Sequence, residues 1–370
     1  MKKLATSIIL PAVLSTALLA APAFAGDMSA GSQGSGESPR GGATDQDYVY
    51  REAKPIAPKL EAGEESRAAP ITDETAVINS LTAVGKSSDG KDLKVEASEA
   101  LKAIIKQQLN APADGGGANK TSAPKGAEDP AFKTGDEASR QVFGSDDRIQ
   151  IANTKVYPFT AIGYLESKDV KGNYESCSAT LIGPSTVLTA AHCLYNHDAG
   201  GWQEDMFFVP GLNGSTADDA PFGGYEYDSA YVVQGFIDNY QGYYGSVLPW
   251  DLGIITLKQP IGNNLGWLGY NHYEALGDFT ANIVGYPGDK NPPALMWRAT
   301  CEVVAENVGT ENFGYDCDTY PGSSGSSVYA YDEGLKQRVV VGVNVAESPE
   351  YNTAVRLNAS YVAWINSLWK

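Results

Sequence analysis

Histidine is nearly absent from this chain. Three occur among 370 residues, His192, His197 and His272, too scattered to form the paired-histidine helical motif of a metal-dependent hydrolase. Cysteine is almost as sparse: Cys177, Cys193, Cys301 and Cys317 all fall within residues 141–370, and no two show C-x-x-C spacing. A single histidine beside a cysteine is a poor zinc set, so no metal and no cofactor are expected. Basic residues are few as well. From residue 141 onward 11 Lys and Arg stand against 26 Asp and Glu, so this part carries −15 of the chain's net −18. Such a balance argues against nucleic acid as a partner and reads as serving solubility. After Ala25 no stretch approaches the roughly 20 apolar residues a bilayer needs, so nothing is expected to hold the processed chain in a membrane.

The first residues do have a message. Lys2 and Lys3 precede an apolar run over residues 8–20, and Ala23-Phe24-Ala25 places small residues at both recognition positions of a signal peptidase. Residues 1–25 are therefore expected to be a signal peptide, and the chain to be secreted, extracellular or periplasmic. An even number of cysteines in an exported chain implies two disulfides, for which three pairings exist. From residue 26 to about 70 the sequence is Gly, Ser, Ala, Pro and charges, with little to bury, and is expected to be disordered. Over residues 93–109 the spacing of Leu93, Val95, Leu101, Ile104, Ile105 and Leu109 predicts one amphipathic helix. Residues 111–140 return to the composition of an accessible linker. From Val142 the texture changes to short β-branched and aromatic runs between Gly, Pro, Asn and Asp, for example at 179–182, 187–189, 231–236, 282–285 and 338–345. Such runs describe an antiparallel all-β body. A late helix is predicted at 359–370, where Val362, Ile365, Leu368 and Trp369 share a face.

Cutting a peptide bond with a serine takes a hydroxyl activated by an imidazole, a carboxylate to orient the imidazole, and two N–H donors for the oxyanion. His192 lies in Leu188-Thr189-Ala190-Ala191-His192-Cys193, where an apolar strand ends in residues small enough to let a ring stand at its edge. His197 and His272 sit in polar surroundings and read as surface residues. Ser324 lies in Gly322-Ser323-Ser324-Gly325-Ser326, where two glycines permit the sharp path of an exposed nucleophile, although a flexible Gly/Ser linker has the same composition. The N–H groups of Gly322 and Ser324 are the expected oxyanion hole. Asp251, in Pro249-Trp250-Asp251-Leu252-Gly253, stands before an apolar strand and is the candidate to hold His192 in its tautomer.

The order His, Asp, Ser, with these local strings, resembles the trypsin-like serine proteases of the chymotrypsin fold. More narrowly, the sequence resembles the bacterial glutamyl endopeptidase branch. Cys177-Ser178-Ala179-Thr180-Leu181-Ile182, Gly285-Tyr286-Pro287-Gly288-Asp289, the Gly-x-Ser-Gly-Ser loop and Val142-Phe143-Gly144-Ser145-Asp146-Asp147-Arg148, which looks like a mature start, carry the likeness. The resemblance covers residues 141–370 and implies two antiparallel six-stranded β barrels with the site between them, closed by the C-terminal helix. Residues 26–140 then read as a propeptide, largely disordered with one helix, and 141–370 as the protease domain of a monomer acting on protein or peptide substrates. Cys177 with Cys193 and Cys301 with Cys317 are the expected bridges, since each pair brackets neighbouring strands.

Three positions depart from the family pattern. Ser323 replaces the Asp that pairs with the new amino terminus in digestive enzymes, and Ser327 stands where the branch usually has proline. Asn344 occupies the place of the histidine with which Glu-specific members read the substrate carboxylate, while Thr319, the other expected pocket residue, is retained. An Asn donates hydrogen bonds but brings no positive charge. Asp318, six residues before Ser324, has the spacing of a pocket carboxylate that would select Lys or Arg. The resemblance implies a preference for Glu or Asp on the acyl side of the scissile bond (P1), with Lys or Arg through Asp318 as the alternative and an inactive, protease-like binding domain as the rival from another class. A Glu-selective pocket would leave the junction after Arg140 to another protease, whereas a basic-selective one would let the chain mature itself.

Overall fold

The computed structural model describes residues 48–56, 58, 60, 68, 71–110, 126–132, 146–348 and 350–370. The expected signal peptide and the junction at Arg140 lie outside the described residues.

Before residue 111 the chain holds more regular structure than its composition suggests. It forms a short strand β1 (Lys54–Pro55), helix α1 (Glu74–Ser80), a hairpin of β2 (Ala83–Ser87) and β3 (Asp92–Val95), and helix α2 (Glu99–Leu109). The periodic apolar residues at 93–109 thus divide between a strand and a helix. Ser98 marks the division, because its hydroxyl accepts the Leu101 N–H and caps α2. The expectation of a largely disordered segment with a single helix does not hold for these residues. Leu101 and Ile105 are buried within the same core as the rest of the body, as are Tyr48 and Ile56, and that burial is what the composition of the segment alone does not reveal.

After β4 (Ile149–Gln150) come β5 (Ile162–Lys168), β6 (Tyr174–Leu181), β7 (Thr186–Thr189), a small hairpin of β8 (Tyr195–Asn196) and β9 (Gly201–Trp202), then β10 (Glu204–Pro210), β11 (Tyr225–Val233), helix α3 (Gln234–Asp238) and β12 (Gly253–Leu257). The ladders run β10-β5-β6-β7-β12-β11, and β10 pairs again with β11, so six antiparallel strands close a barrel. All five residues of β12 are buried, in keeping with a strand covered on both faces. The hairpin β2–β3 extends this sheet: Ala83–Ser87 pair with residues 229–233 of β11.

Helix α4 (Gly262–Leu265) and β13 (Gly269–Tyr270) lead to the second half, made of β14 (Phe279–Gly285), β15 (Trp297–Val303), β16 (Asn312–Tyr315), β17 (Ser327–Asp332), β18 (Gln337–Glu347) and β19 (Asn352–Arg356). Their order is β16-β19-β18-β17-β14-β15, and no ladder joins β15 to β16. The second unit is thus a half-barrel beside a closed one. The disulfide Cys301–Cys317 ties β15 to a point two residues past β16, across the open side. A separate apolar core of Phe279, Ile283, Val303, Phe313, Val328 and Val341 fills it. Helix α5 (Ala359–Leu368) ends the chain, capped by Asn358, whose side chain accepts the Tyr361 N–H.

Candidate active site

Antiparallel pairing of β7 with β12 sets Thr189 opposite Gly253. His192, three residues beyond one, and Asp251, two residues before the other, are therefore delivered to the same end of the sheet. The carboxylate of Asp251 grips His192 twice. Its Oδ2 lies 2.7 Å from Nδ1 and its Oδ1 accepts the His192 backbone N–H at 2.8 Å. Both residues are buried, Asp251 completely. Nδ1 consequently carries the proton and Nε2 is left as the acceptor. Tyr244 adds a third contact: its hydroxyl donates to the Val345 carbonyl at 3.3 Å and stands 3.0 Å from Nδ1, with its ring edge-on to the imidazole. No feature of the local sequence around Tyr244 had marked it.

Ser324 is brought to this place by β6. The Ser178 N–H donates to the Ser324 carbonyl at 2.8 Å, and the next residue back, Cys177, is bonded to Cys193, the neighbour of His192. The hydroxyl of Ser324 and Nε2 of His192 are both buried side-chain atoms with no hydrogen-bond partner among the described residues. The hydroxyls of Ser326 and Ser327 are in the same state, and in free enzymes the catalytic hydrogen bond is often long until substrate binds.

The loop at residues 321–326 also fixes the direction of its amides. Gly288 N–H takes the Pro321 carbonyl at 2.8 Å and Ser326 N–H takes the Ser323 carbonyl at 2.9 Å. In a trans peptide the N–H points opposite its carbonyl, so the amides of Gly322 and Ser324 face away from those partners. Gly322 adopts φ +103° and Gly325 φ +85°, conformations that strain any residue with a Cβ. A Cβ on Gly322 would also stand 2.5 Å from the Tyr286 carbonyl.

The remaining candidates divide. Thr319 and Asn344 lie together beside the loop that carries Ser324, with Asn344 bonded to it through both backbone groups: Gly325 N–H donates to its carbonyl at 2.8 Å, and its own N–H donates to the Ser326 carbonyl at 2.9 Å. Asp318 turns elsewhere, because its Oδ2 accepts the Asp147 backbone N–H at 2.9 Å. Spacing located this carboxylate but did not reveal its direction. Asp147 belongs to a clamp in which Arg148 reaches Asp146 and Asp289. His197 is not the plain surface residue expected: it is half-buried, stacks on Tyr240 at 3.9 Å and bonds the Phe236 carbonyl at 2.9 Å. Burial pushes its pKa down. Glu347, unmarked in the sequence, joins Thr319 and Asn344. Cys177, His192 and Cys193 bring metal-type donors within 4.8 Å of one another, but the two sulfurs are bonded to each other, which leaves no thiolate to bind an ion. Pro55 of β1 packs against the site: a Cβ on Gly288 would overlap it, and one on Gly322 would lie 3.4 Å from its Cβ.

Comparison with known proteins points the same way. The sequence model of the family described as Trypsin matches residues 150–365. The chain is 35% identical over 191 residues to the Glutamyl endopeptidase of Bacillus licheniformis, an alignment covering 51% of this chain and 55% of that protein. It thus spans about half the length of that relative. It is 30% identical over 277 residues to a Bacillus subtilis protein named Extracellular metalloprotease, covering 73% of this chain and 82% of the other. A solved structure of a Glu endopeptidase in complex with MPD superposes with a TM-score of 0.50 at 29% identity, covering 60% of this chain and 95% of that one.

Proposed function

Because the chain belongs to the trypsin family, we propose that it is a secreted serine endopeptidase that hydrolyses protein or peptide substrates through an acyl-enzyme, with His192, Asp251 and Ser324 as its catalytic triad. The observation that carries this reading is the double grip of Asp251 on His192, which leaves Nε2 as a base, together with a buried Ser324 hydroxyl that has no other partner. In the first step the Ser324 oxygen attacks the scissile carbonyl while its proton passes to Nε2. The oxyanion is received by the N–H groups of Gly322 and Ser324, each such donor contributing about a hundredfold or more in rate. His192 then gives the proton to the leaving amine, and water repeats the sequence on the ester.

Residues 1–25 are proposed as the signal and 26–140 as a propeptide. The position of Pro55 against Gly288 and Gly322 supports an inactive precursor, since the ordered segment lies along the oxyanion loop and pairs with β6 at Glu175 and Ser176. For P1, the names Glutamyl endopeptidase and Glu endopeptidase support Glu, and Asp by likeness of charge, with Thr319 and Asn344 as the readers. One observation, the carboxylate already resting on those two donors, favours a basic P1 instead.

Ser324→Ala is expected to keep the fold and lose about 10⁶ in kcat, while Ser323→Ala and Ser326→Ala keep substantial turnover. Peptide hydrolysis and labelling by a fluorophosphonate measure both effects. Wild-type turnover in the Ser324 variant would show that another residue is the nucleophile.

A further inference from the structure

Beside the nucleophile loop four side chains form one hydrogen-bonded series. Tyr315 donates its hydroxyl to Asn344 Oδ1. Asn344 Nδ2 lies 3.4 Å from Glu347 Oε1, and the Thr319 hydroxyl lies 3.2 Å from the same oxygen. Tyr315, Asn344 and Thr319 are buried, and Glu347 is half-buried at the end of β18. The series fixes which way the amide faces. With Oδ1 receiving the phenol, Nδ2 must point at the carboxylate; the reverse would set Oδ1 against Glu347.

Thr319 and Asn344 are the donors left in this chain for reading a substrate carboxylate, and both already hold one supplied by the chain itself. No Lys or Arg of the described residues is paired with Glu347, and its Oε2 accepts no hydrogen bond among them. Burial pushes its carboxyl pKa up, while the bonds from Asn344 and Thr319 pull it down. A second carboxylate entering this place would meet like charge at close range with no Lys or Arg paired to it and only His192, when protonated, to offset it, which strongly disfavours having both ionised. An ammonium or guanidinium would instead find the free Oε2.

We propose that Glu347 sets the P1 specificity: by occupying Thr319 and Asn344 it shuts out Glu and Asp side chains and offers its own carboxylate to Lys or Arg. The inference rests on the endopeptidase reading above and names its substrate class. It also moves the acidic determinant from Asp318, which is turned toward Asp147, to the end of β18.

The test is to digest a peptide library, and matched substrates with Lys, Arg or Glu at P1, using the full-length chain purified after expression and processing, then its E347Q and D318S variants. Wild-type protein should cut after Lys or Arg at least tenfold faster in kcat/KM than after Glu. In E347Q the ratio should fall by about tenfold or more, with cleavage after Glu rising in absolute terms as Thr319 and Asn344 are released. A wild-type preference for Glu, an unchanged ratio in E347Q, or a collapse of the ratio in D318S alone would each overturn the assignment of Glu347. Fluorophosphonate labelling that is lost in Ser324→Ala reads the endopeptidase assignment separately. Labelling with the wrong P1 ratio sinks only the role of Glu347, whereas absence of both labelling and cleavage sinks the two together.

Discussion

Asp251 gives both carboxylate oxygens to one residue, and that arrangement makes a sharp demand on chemistry. Asp251→Asn would offer an amide to Nδ1 and favour the wrong tautomer, with Nε2 protonated and useless as a base. Turnover should fall by about 10⁴ with the circular dichroism of the fold unchanged; a loss of tenfold or less in kcat would mean that the carboxylate is dispensable. His192, Asp251 and Ser324 could be singled out in the sequence because each sits in its own short string of small or apolar neighbours at a strand end, where local chemistry and position coincide. Tyr244 and Glu347 could not. One reaches the imidazole across 52 positions and the other, though close in sequence to Asn344, meets Thr319 only across 28 positions, so neither leaves a local signature. Glu347 at a strand end reads, in sequence, as one more solvated acid.

Elements were legible where their own residues carry their stability, as in the fully buried β12 or the helix α5 with its apolar face. They were hidden where a partner supplies it. Strands β2 and β3 are five and four residues long with exposed or half-exposed alternate positions, and two such strands alone are marginal in water. Only pairing with β11 makes them persist. The same holds at residues 126–132, whose linker-like composition conceals Asp129. Fully buried, it accepts from Arg338 Nε and Nη2 at 2.5 and 2.7 Å and from Tyr329 at 2.8 Å. Asp129→Ala strands the partly covered guanidinium and a buried phenol, and breaking such a pair costs about 3–5 kcal/mol. Denaturant unfolding of the full-length chain should show that loss in its midpoint; an unchanged midpoint would mean that residues 126–132 do not dock in solution.

At the scale of the whole molecule, the segment before residue 141 and the proposed P1 site bear on each other through Arg140. With a basic P1, purified precursor incubated alone should generate a new amino terminus at Gln141, faster at higher concentration, and Ser324→Ala precursor should stay intact. Amino-terminal sequencing over time reads the outcome, and a wild-type precursor that stays whole until another protease is added would count against a pocket that accepts Arg. Removal of the proposed propeptide would have a mechanical side too. While β2 covers residues 229–233, the barrel shows no raw margin there. If residues 26–140 are removed, the amides and carbonyls of β11 that β2 had paired face water, while those turned to β12 stay bonded, and an open strand margin is a template for joining one copy to the next. Mutual repulsion among bodies of net charge −15 then keeps freshly matured copies apart, and salt shortens the reach of that repulsion to about 8 Å at physiological strength. A concentrated stock of mature enzyme should therefore cloud on standing in high salt, at concentrations where its precursor stays clear.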